Sequence, residues 1–227
     1  MMGLAVAIQN SAECASLASP RQSPLGGRLK RSFDLLAASL AILFLAPLLL
    51  ILAGVIYCLD GGPVIIRHTR LGRGGEKFGC LKFRTMVNDA DIVLRDHLAA
   101  DPKAAQEWDD TQKLCHDPRI TKIGSVLRKT SLDELPQIYN IWRGDMSFVG
   151  PRPIVEAEIS KYGPYWKDYC RARPGLTGAW QVNGRNDVDY GTRVMLDSEY
   201  VANWSFRRDL TIIVMTIPAV IKARGVY

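Results

Sequence analysis

Asp133 and Glu134 stand side by side in the run Arg128-Lys129-Thr130-Ser131-Leu132-Asp133-Glu134-Leu135-Pro136-Gln137. Adjacent carboxylates just after two cations suit chemistry on an anionic substrate. A carboxylate that attacks phosphorus must keep its own charge while the substrate's charge is masked. The same spacing has a structural meaning, because Ser131 followed three residues later by Glu134 is a capping-box pattern and helix N-termini are often acidic. The two readings are compatible. A helix starting near Ser131 would hold Asp133 ionised and offer free N–H groups to a phosphate.

The 227 residues suffice for one domain with a real core. Twenty-nine lysines and arginines against 23 acidic residues leave a net charge of +6, which fits an anionic partner: nucleic acid, a lipid headgroup or a phosphorylated substrate. Nucleic acid is disfavoured, since no binding motif is present and aromatic residues make up only 8% of the chain. The five cysteines, Cys14, Cys58, Cys80, Cys115 and Cys170, are scattered without a Cys-x-x-Cys, so they read as reduced thiols. His68, His97 and His116 have no partner at zinc-ligand spacing.

These residues must be positioned by a chain that begins at the membrane. Residues 1–27, rich in Ala, Ser, Pro and Gly, read as a disordered tail without a convincing signal peptide. From Leu35 to Leu59 no charged residue occurs. As a helix that run would be roughly 37 Å long at about 1.5 Å per residue, enough for a bilayer core of about 30 Å. Arg28, Lys30 and Arg31 precede it and Arg67, Arg70 and Arg73 follow it, so both flanks carry the signature of a cytoplasmic side. Pro47, near the middle, removes an N–H and crowds the carbonyl of Leu43. A bent, re-entrant helix over residues 28–60 reconciles the charges with the proline, although proline kinks also occur in spanning helices.

Residues 61–227 are then expected to form a cytoplasmic catalytic domain, giving a helix-rich α+β fold. Val64–Arg70 and Lys77–Phe83 flank a glycine turn at residues 72–75 and predict a β-hairpin. Residues 88–108 predict a polar helical insertion broken near Asp101-Pro102. Further helices are expected near Ser131 and Val188. Leu210–Ile221, with Arg207, Arg208, Lys222 and Arg224 at its ends, suits either an interfacial or a core helix.

Four stretches in this order, Lys82-Phe83-Arg84-Thr85-Met86, Ser131 to Gln137, Gly150-Pro151-Arg152-Pro153 and Arg173-Pro174-Gly175-Leu176-Thr177-Gly178, resemble the bacterial sugar transferases, the monotopic polyprenyl-phosphate phosphoglycosyl transferases. The likeness runs from about Lys30 to the C-terminus, including Gly184-Arg185-Asn186-Asp187, and is strongest to the compact members that prime exopolysaccharide synthesis. It implies transfer of a hexose 1-phosphate, with galactose expected, from a UDP-sugar to undecaprenyl phosphate at the cytoplasmic face of the inner membrane, releasing UMP. Asp133 would be the nucleophile that carries the phospho-sugar. Glu134 would hold a metal or handle a proton, and Mg²⁺ on Asp133 and Glu134 is the expected cofactor. Arg152 is the leading phosphate ligand, because a guanidinium offers a bidentate fork and the flanking prolines stiffen its loop. Lys82, Arg84, Arg128, Arg173 and Arg185 are further candidates, each of which could equally be a surface charge or a lipid contact. Homo-oligomerisation stays open. The competing readings are a glycosyltransferase that releases UDP and a non-enzymatic membrane scaffold.

Overall fold

The structure, a computed structural model, describes residues 24–111, 114–183 and 188–221. Most of the expected tail, Arg185 and Arg224 therefore lie outside the described residues. The chain opens with α1 (Gly27–Asp60), a single helix with Pro47 inside it. Pro47 does not end the helix. What ends it is Gly61, at φ 66°, whose N–H donates to Tyr57 O at 3.0 Å.

The expected hairpin follows as β1 (Ile65–Leu71) and β2 (Lys77–Phe83), antiparallel, with Ile66 opposite Lys82 and His68 opposite Cys80. Gly74 and Gly75, at φ 70° and 74°, supply the left-handed backbone that the turn needs. The polar insertion forms α2 (Ala90–Ala100) and α3 (Pro102–Thr111). They part at Asp101, whose carboxylate accepts from the backbone N–H of Lys103 and Ala104 at 2.9 and 3.3 Å. Then come α4 (Lys122–Lys129), α5 (Gln137–Arg143), β3 (Ser147–Val149), α6 (Ile159–Tyr162), α7 (Trp166–Arg171), β4 (Gly175–Thr177), α8 (Ala179–Val182), α9 (Tyr190–Ala202) and α10 (Phe206–Ile221). Asp189 caps α9 near the expected start at Val188. The short parallel pair β3–β4 was not foreseen. Cys58, Cys80 and Cys115 are free, but Cys170 is disulfide-bonded, so the reading of all five as reduced fails there. Spacing along a sequence cannot show which thiols meet in space.

α1 is long and apolar enough to cross a membrane, and almost none of its most apolar stretch is buried. Yet one stripe of it packs on the globular body along its whole length. Ala38, Ala41, Ile42 and Leu45 meet Ile138, Ile141 and Met146, while Leu49, Leu52, Ala53 and Ile56 meet Phe83 and Leu127. Leu135 touches both groups, on either side of Pro47. The opposite face, with Leu36, Leu40, Leu43, Phe44, Leu50 and Ile51, is exposed. Polar bonds fasten both ends to that body. Near the start, buried Lys30 pairs with Asp209, which also accepts from the Tyr200 hydroxyl and Trp204 Nε1. Arg31 donates to the carbonyls of Ile141 and Trp142, at 2.7 Å each. At the far end Asp60 accepts from Thr121 Oγ1 at 2.7 Å.

A second core gathers Leu71, Ile154, Tyr162, Trp166, Tyr169 and Val194. Within it Asp197 is 2% exposed, accepts from the Tyr162 hydroxyl at 3.1 Å, and leaves Oδ1 without a hydrogen-bond partner. Burial pushes its pKa up to about 7, with Tyr162 and Arg152 holding it back. An unfolded aspartate titrates near about 3.9. The folded chain thus holds this proton more tightly, so the stability it contributes is full below about pH 4 and is lost as pH rises through about 7. Asp197→Asn cannot ionise. Its melting temperature should fall less between pH 5 and pH 8 than that of the native chain, and parallel slopes in the two proteins would contradict the assignment.

Candidate active site

The Asp133-Glu134 pair is not at the start of a long helix. Ser131 has φ 57°, the left-handed region that costs a non-glycine residue about 1–2 kcal/mol, and is the one described non-glycine residue with a positive φ. Its hydroxyl caps nothing, and its own N–H donates to Arg128 O at 3.1 Å. The chain turns there into one 3₁₀ turn, Leu132–Glu134, before α5 begins at Gln137. The expected capping box is therefore absent, because the Glu134 carboxylate is drawn to another partner.

That partner is Lys82. Its ammonium lies 2.6 Å from Glu134 Oε1 and 3.4 Å from Asp133 Oδ2. The contact is placed by α5, where buried Asn140 bonds the β2 backbone. Its Oδ1 accepts from Leu81 N at 2.9 Å, and its Nδ2 donates to Gly79 O at 2.8 Å. Lys82, the next residue along β2, then faces the 3₁₀ turn. Burial raises the pKa of Asp133, and the charges of Lys82 and Arg128 counter it. Burial also works against the Lys82 ammonium, but Glu134 and Asp133 outweigh it and the pKa of Lys82 rises. The carboxylate is thus held by a lysine, not by a helix dipole.

Glu134 and Lys82 line a cavity of about 420 Å³, open mouth included, together with Arg70, Gln137, Arg152 and Gln181. Asp133 is 8% exposed and is joined to the cavity through Lys82. Trp180 lies under Arg152, whose guanidinium carbon is 5.7 Å from the ring centroid. Cys80, on the cavity wall, is no rival nucleophile, since burial pushes its thiol up to about 11.

The other candidate cations divide. Arg128 donates to Thr85 Oγ1 at 2.9 Å and its charge bears on Asp133. Arg84 is 4% exposed and closes the end of α1: it donates to the carbonyls of Asp60 and Gly61 and to the Asn88 side-chain Oδ1. Arg173 donates to Gly144 O at 2.8 Å, at the end of α5. Neither Arg84 nor Arg173 lines the cavity. Arg70 and Gln137 were missed, though the alternation of β1 puts Arg70 on the same face of the hairpin as Lys82.

Among the described residues no group of three or more His, Cys, Asp or Glu side chains is placed to hold a metal ion. Two adjacent carboxylates do fit Mg²⁺, which commonly binds one or two carboxylates together with substrate phosphates. Lys82 bridging them shows that this spot accommodates a cation.

Residues 26–223 match the model of the bacterial sugar transferase family, and the chain belongs to that family. Among its relatives, the exopolysaccharide production protein ExoY of Rhizobium meliloti is 54% identical over 204 residues, 90% of each chain. The UDP-galactose-lipid carrier transferase of Erwinia amylovora is 53% identical over 199 residues, 88% of this chain and 42% of that one. The undecaprenyl-phosphate galactose phosphotransferase of Salmonella typhimurium is 49% identical over the same length and the same shares.

The division among the cations can be measured. Arg84→Ala empties a buried site and strips partners from part-buried carbonyls at the end of α1, and should lower stability by about 3 kcal/mol. Arg152→Lys should leave the melting temperature within a degree or two. Equal melting temperatures for the two variants would contradict this division.

Proposed function

We propose that this enzyme transfers a hexose 1-phosphate, galactose 1-phosphate by preference, from a UDP-sugar to undecaprenyl phosphate as the first step of exopolysaccharide assembly. The observation that carries the reading is the Lys82 bridge to Asp133 and Glu134 at the edge of a cation-lined cavity. The names of the Erwinia and Salmonella relatives support the donor and the acceptor, and that of the Rhizobium relative supports the pathway.

In this mechanism an Asp133 oxygen attacks the β-phosphorus, which bears the hexose. The bond from that phosphorus to the bridging oxygen breaks, and UMP leaves with the electron pair. The resulting aspartyl phospho-sugar is attacked at the same phosphorus by an oxygen of undecaprenyl phosphate, which frees the carboxylate and yields the diphosphate-linked sugar. Lys82, with three N–H donors, can hold the carboxylates and reach a phosphate oxygen. Arg152 grips the diphosphate with its fork. Asp133 and Glu134 would hold Mg²⁺, which when bound neutralises charge on the phosphates.

The helix supports a one-sided arrangement. Both ends of α1 are bonded to the same polar body, and only its outer face is apolar and free. A helix that crossed the bilayer would have to carry one of those ends to the far side. We therefore read α1 as re-entrant, bent at Pro47, with the catalytic body on the cytoplasmic face of the inner membrane. A polyprenyl tail then stays in lipid while its phosphate reaches the cavity.

Two experiments test this reading. Purified protein mixed with UDP-galactose and Mg²⁺ should release one equivalent of UMP and gain a phospho-hexose on Asp133 by intact-protein mass spectrometry. Asp133→Asn should lose both the adduct and turnover, and Glu134→Gln should cut turnover. Normal turnover by Asp133→Asn, or UDP in place of UMP, would overturn the chemistry. For topology, Cys80 is too buried to report. Cysteines placed singly at the exposed positions Arg28 and Arg67 in a cysteine-free chain should both resist an impermeant maleimide in intact spheroplasts and react after lysis. Labelling of one alone before lysis would sink the one-sided model. Pro47→Leu restores a backbone donor and should expose one of the two sites.

A further inference from the structure

We propose that Arg70 is a second phosphate-binding residue, paired with Arg152 on one wall of the cavity. The inference rests on the phosphoglycosyl transfer reading above and extends it to a residue that no motif singled out.

Backbone bonds fix the pair. Leu71 N donates to Ile154 O at 2.8 Å, which ties the end of β1 to the segment that follows Pro153. The Tyr169 hydroxyl completes the tie: it donates to Leu71 O at 2.6 Å and accepts from Ile154 N at 3.3 Å. Leu71, Ile154 and Tyr169 are each at most 3% exposed, so water does not compete for these bonds. Arg70 and Arg152 flank this clasp, and both line the cavity.

Charge then shows what the pair is for. The fields of Arg70, Arg152, Lys82 and Glu134 all act on the Cys80 thiol, so these groups surround one stretch of wall. His68, on the same face of β1, is held below its ordinary pKa by burial and then by Arg70, Lys82 and Arg128. Lys82 is engaged by two carboxylates. Among the described residues neither Arg70 nor Arg152 forms an ion pair with a carboxylate. Two guanidiniums on one cavity wall, neither of them neutralised by a carboxylate, make that wall attractive to an anion. Each offers a planar fork to phosphate oxygens, and a diphosphate presents enough oxygens for both.

A phosphate can come from the nucleotide sugar or from the polyprenyl acceptor, and the two half-reactions tell them apart. Arg70→Gln and Arg70→Lys would be compared with the native protein in lipid nanodiscs. One measurement is the UMP burst against UDP-galactose concentration, and the other is discharge of the preformed adduct by undecaprenyl phosphate. Charge-assisted bonds of this kind make a loss of roughly ten- to hundredfold the expectation for Arg70→Gln, with Arg70→Lys between it and the native protein. A loss in the burst assigns Arg70 to the nucleotide diphosphate, and a loss confined to discharge assigns it to the acceptor phosphate. An unchanged melting temperature separates either loss from misfolding. Tyr169→Phe removes the hydroxyl's two bonds of the clasp but keeps both cations, and should weaken the same half-reaction that Arg70→Gln weakens, to a smaller extent. If Arg70→Gln matches an active native protein in both half-reactions, the assignment is wrong while the transferase reading stands. If the native protein yields neither UMP nor adduct, it is the transferase reading that fails.

Discussion

The site depends on a single side-chain amide. Asn140 is fully buried and bonds the backbone of β2 as a neighbouring strand would, through Leu81 N and Gly79 O, with a further donation to Asp145 at 3.0 Å. Its own carbonyl accepts from the N–H groups of Gly144 and Asp145, both at 3.0 Å, where α5 ends. The Asn140 amide itself is fully buried, so leaving it unpaired would cost about 1–3 kcal/mol. The amide is therefore a rigid spacer between β2, which carries Lys82, and α5, which follows Asp133 and Glu134. A small slip between these two elements would part the ammonium from its carboxylates.

Around that spacer the electrostatics are arranged so that no charge is buried without help. Desolvation raises the pKa of Asp133, which disfavours the ionised carboxylate, and Lys82 and Arg128 act against that rise. The strained backbone at Ser131 belongs to the same arrangement. A regular helix from Ser131 would aim successive side chains around its axis, whereas the left-handed residue and the 3₁₀ turn bring both carboxylates to one lysine.

Much of this was legible in the sequence. The hairpin, the broken polar insertion and the long apolar helix follow from alternation, from Asp101-Pro102 and from the charge-free run, all of them local signals. The α+β class was equally plain, whereas the local setting of Asp133 and Glu134 was not, since a 3₁₀ turn stands where a capped helix was expected. What could not be read was the division of labour among the cations. Lys82 and Arg84 are two residues apart in one motif, yet one faces the carboxylates and the other ends a helix. Only the third dimension shows that Arg84 sits where α1 leaves its last carbonyls unpaired. Strand alternation does place Arg70 with Lys82, but only the fold shows that its neighbour Leu71 bridges Ile154, two residues past Arg152. The three-residue strands β3 and β4 are too short to show a period, and their parallel pairing brings Gly150 and Gly175 so close that a side chain on either would strike backbone.

The inner stripe of α1 has a practical meaning for anyone who would work with this enzyme in water. In many membrane-bound enzymes the anchor is a module that can be clipped off or exchanged, leaving a soluble catalytic fragment. Here Ala38 and Ile56 are wholly buried, and Lys30 is the cation beside a carboxylate that is otherwise sealed in protein. Excising the helix would strip the roof from two hydrophobic clusters and leave Asp209 charged with no counterion, a loss that buried pairs do not tolerate. A chimera with a foreign anchor would meet the same defect unless it reproduced the stripe residue by residue. The hydrophobic segment is a structural wall of the enzyme, and its outer face, with Leu43, Phe44 and Leu50, is left apolar and exposed.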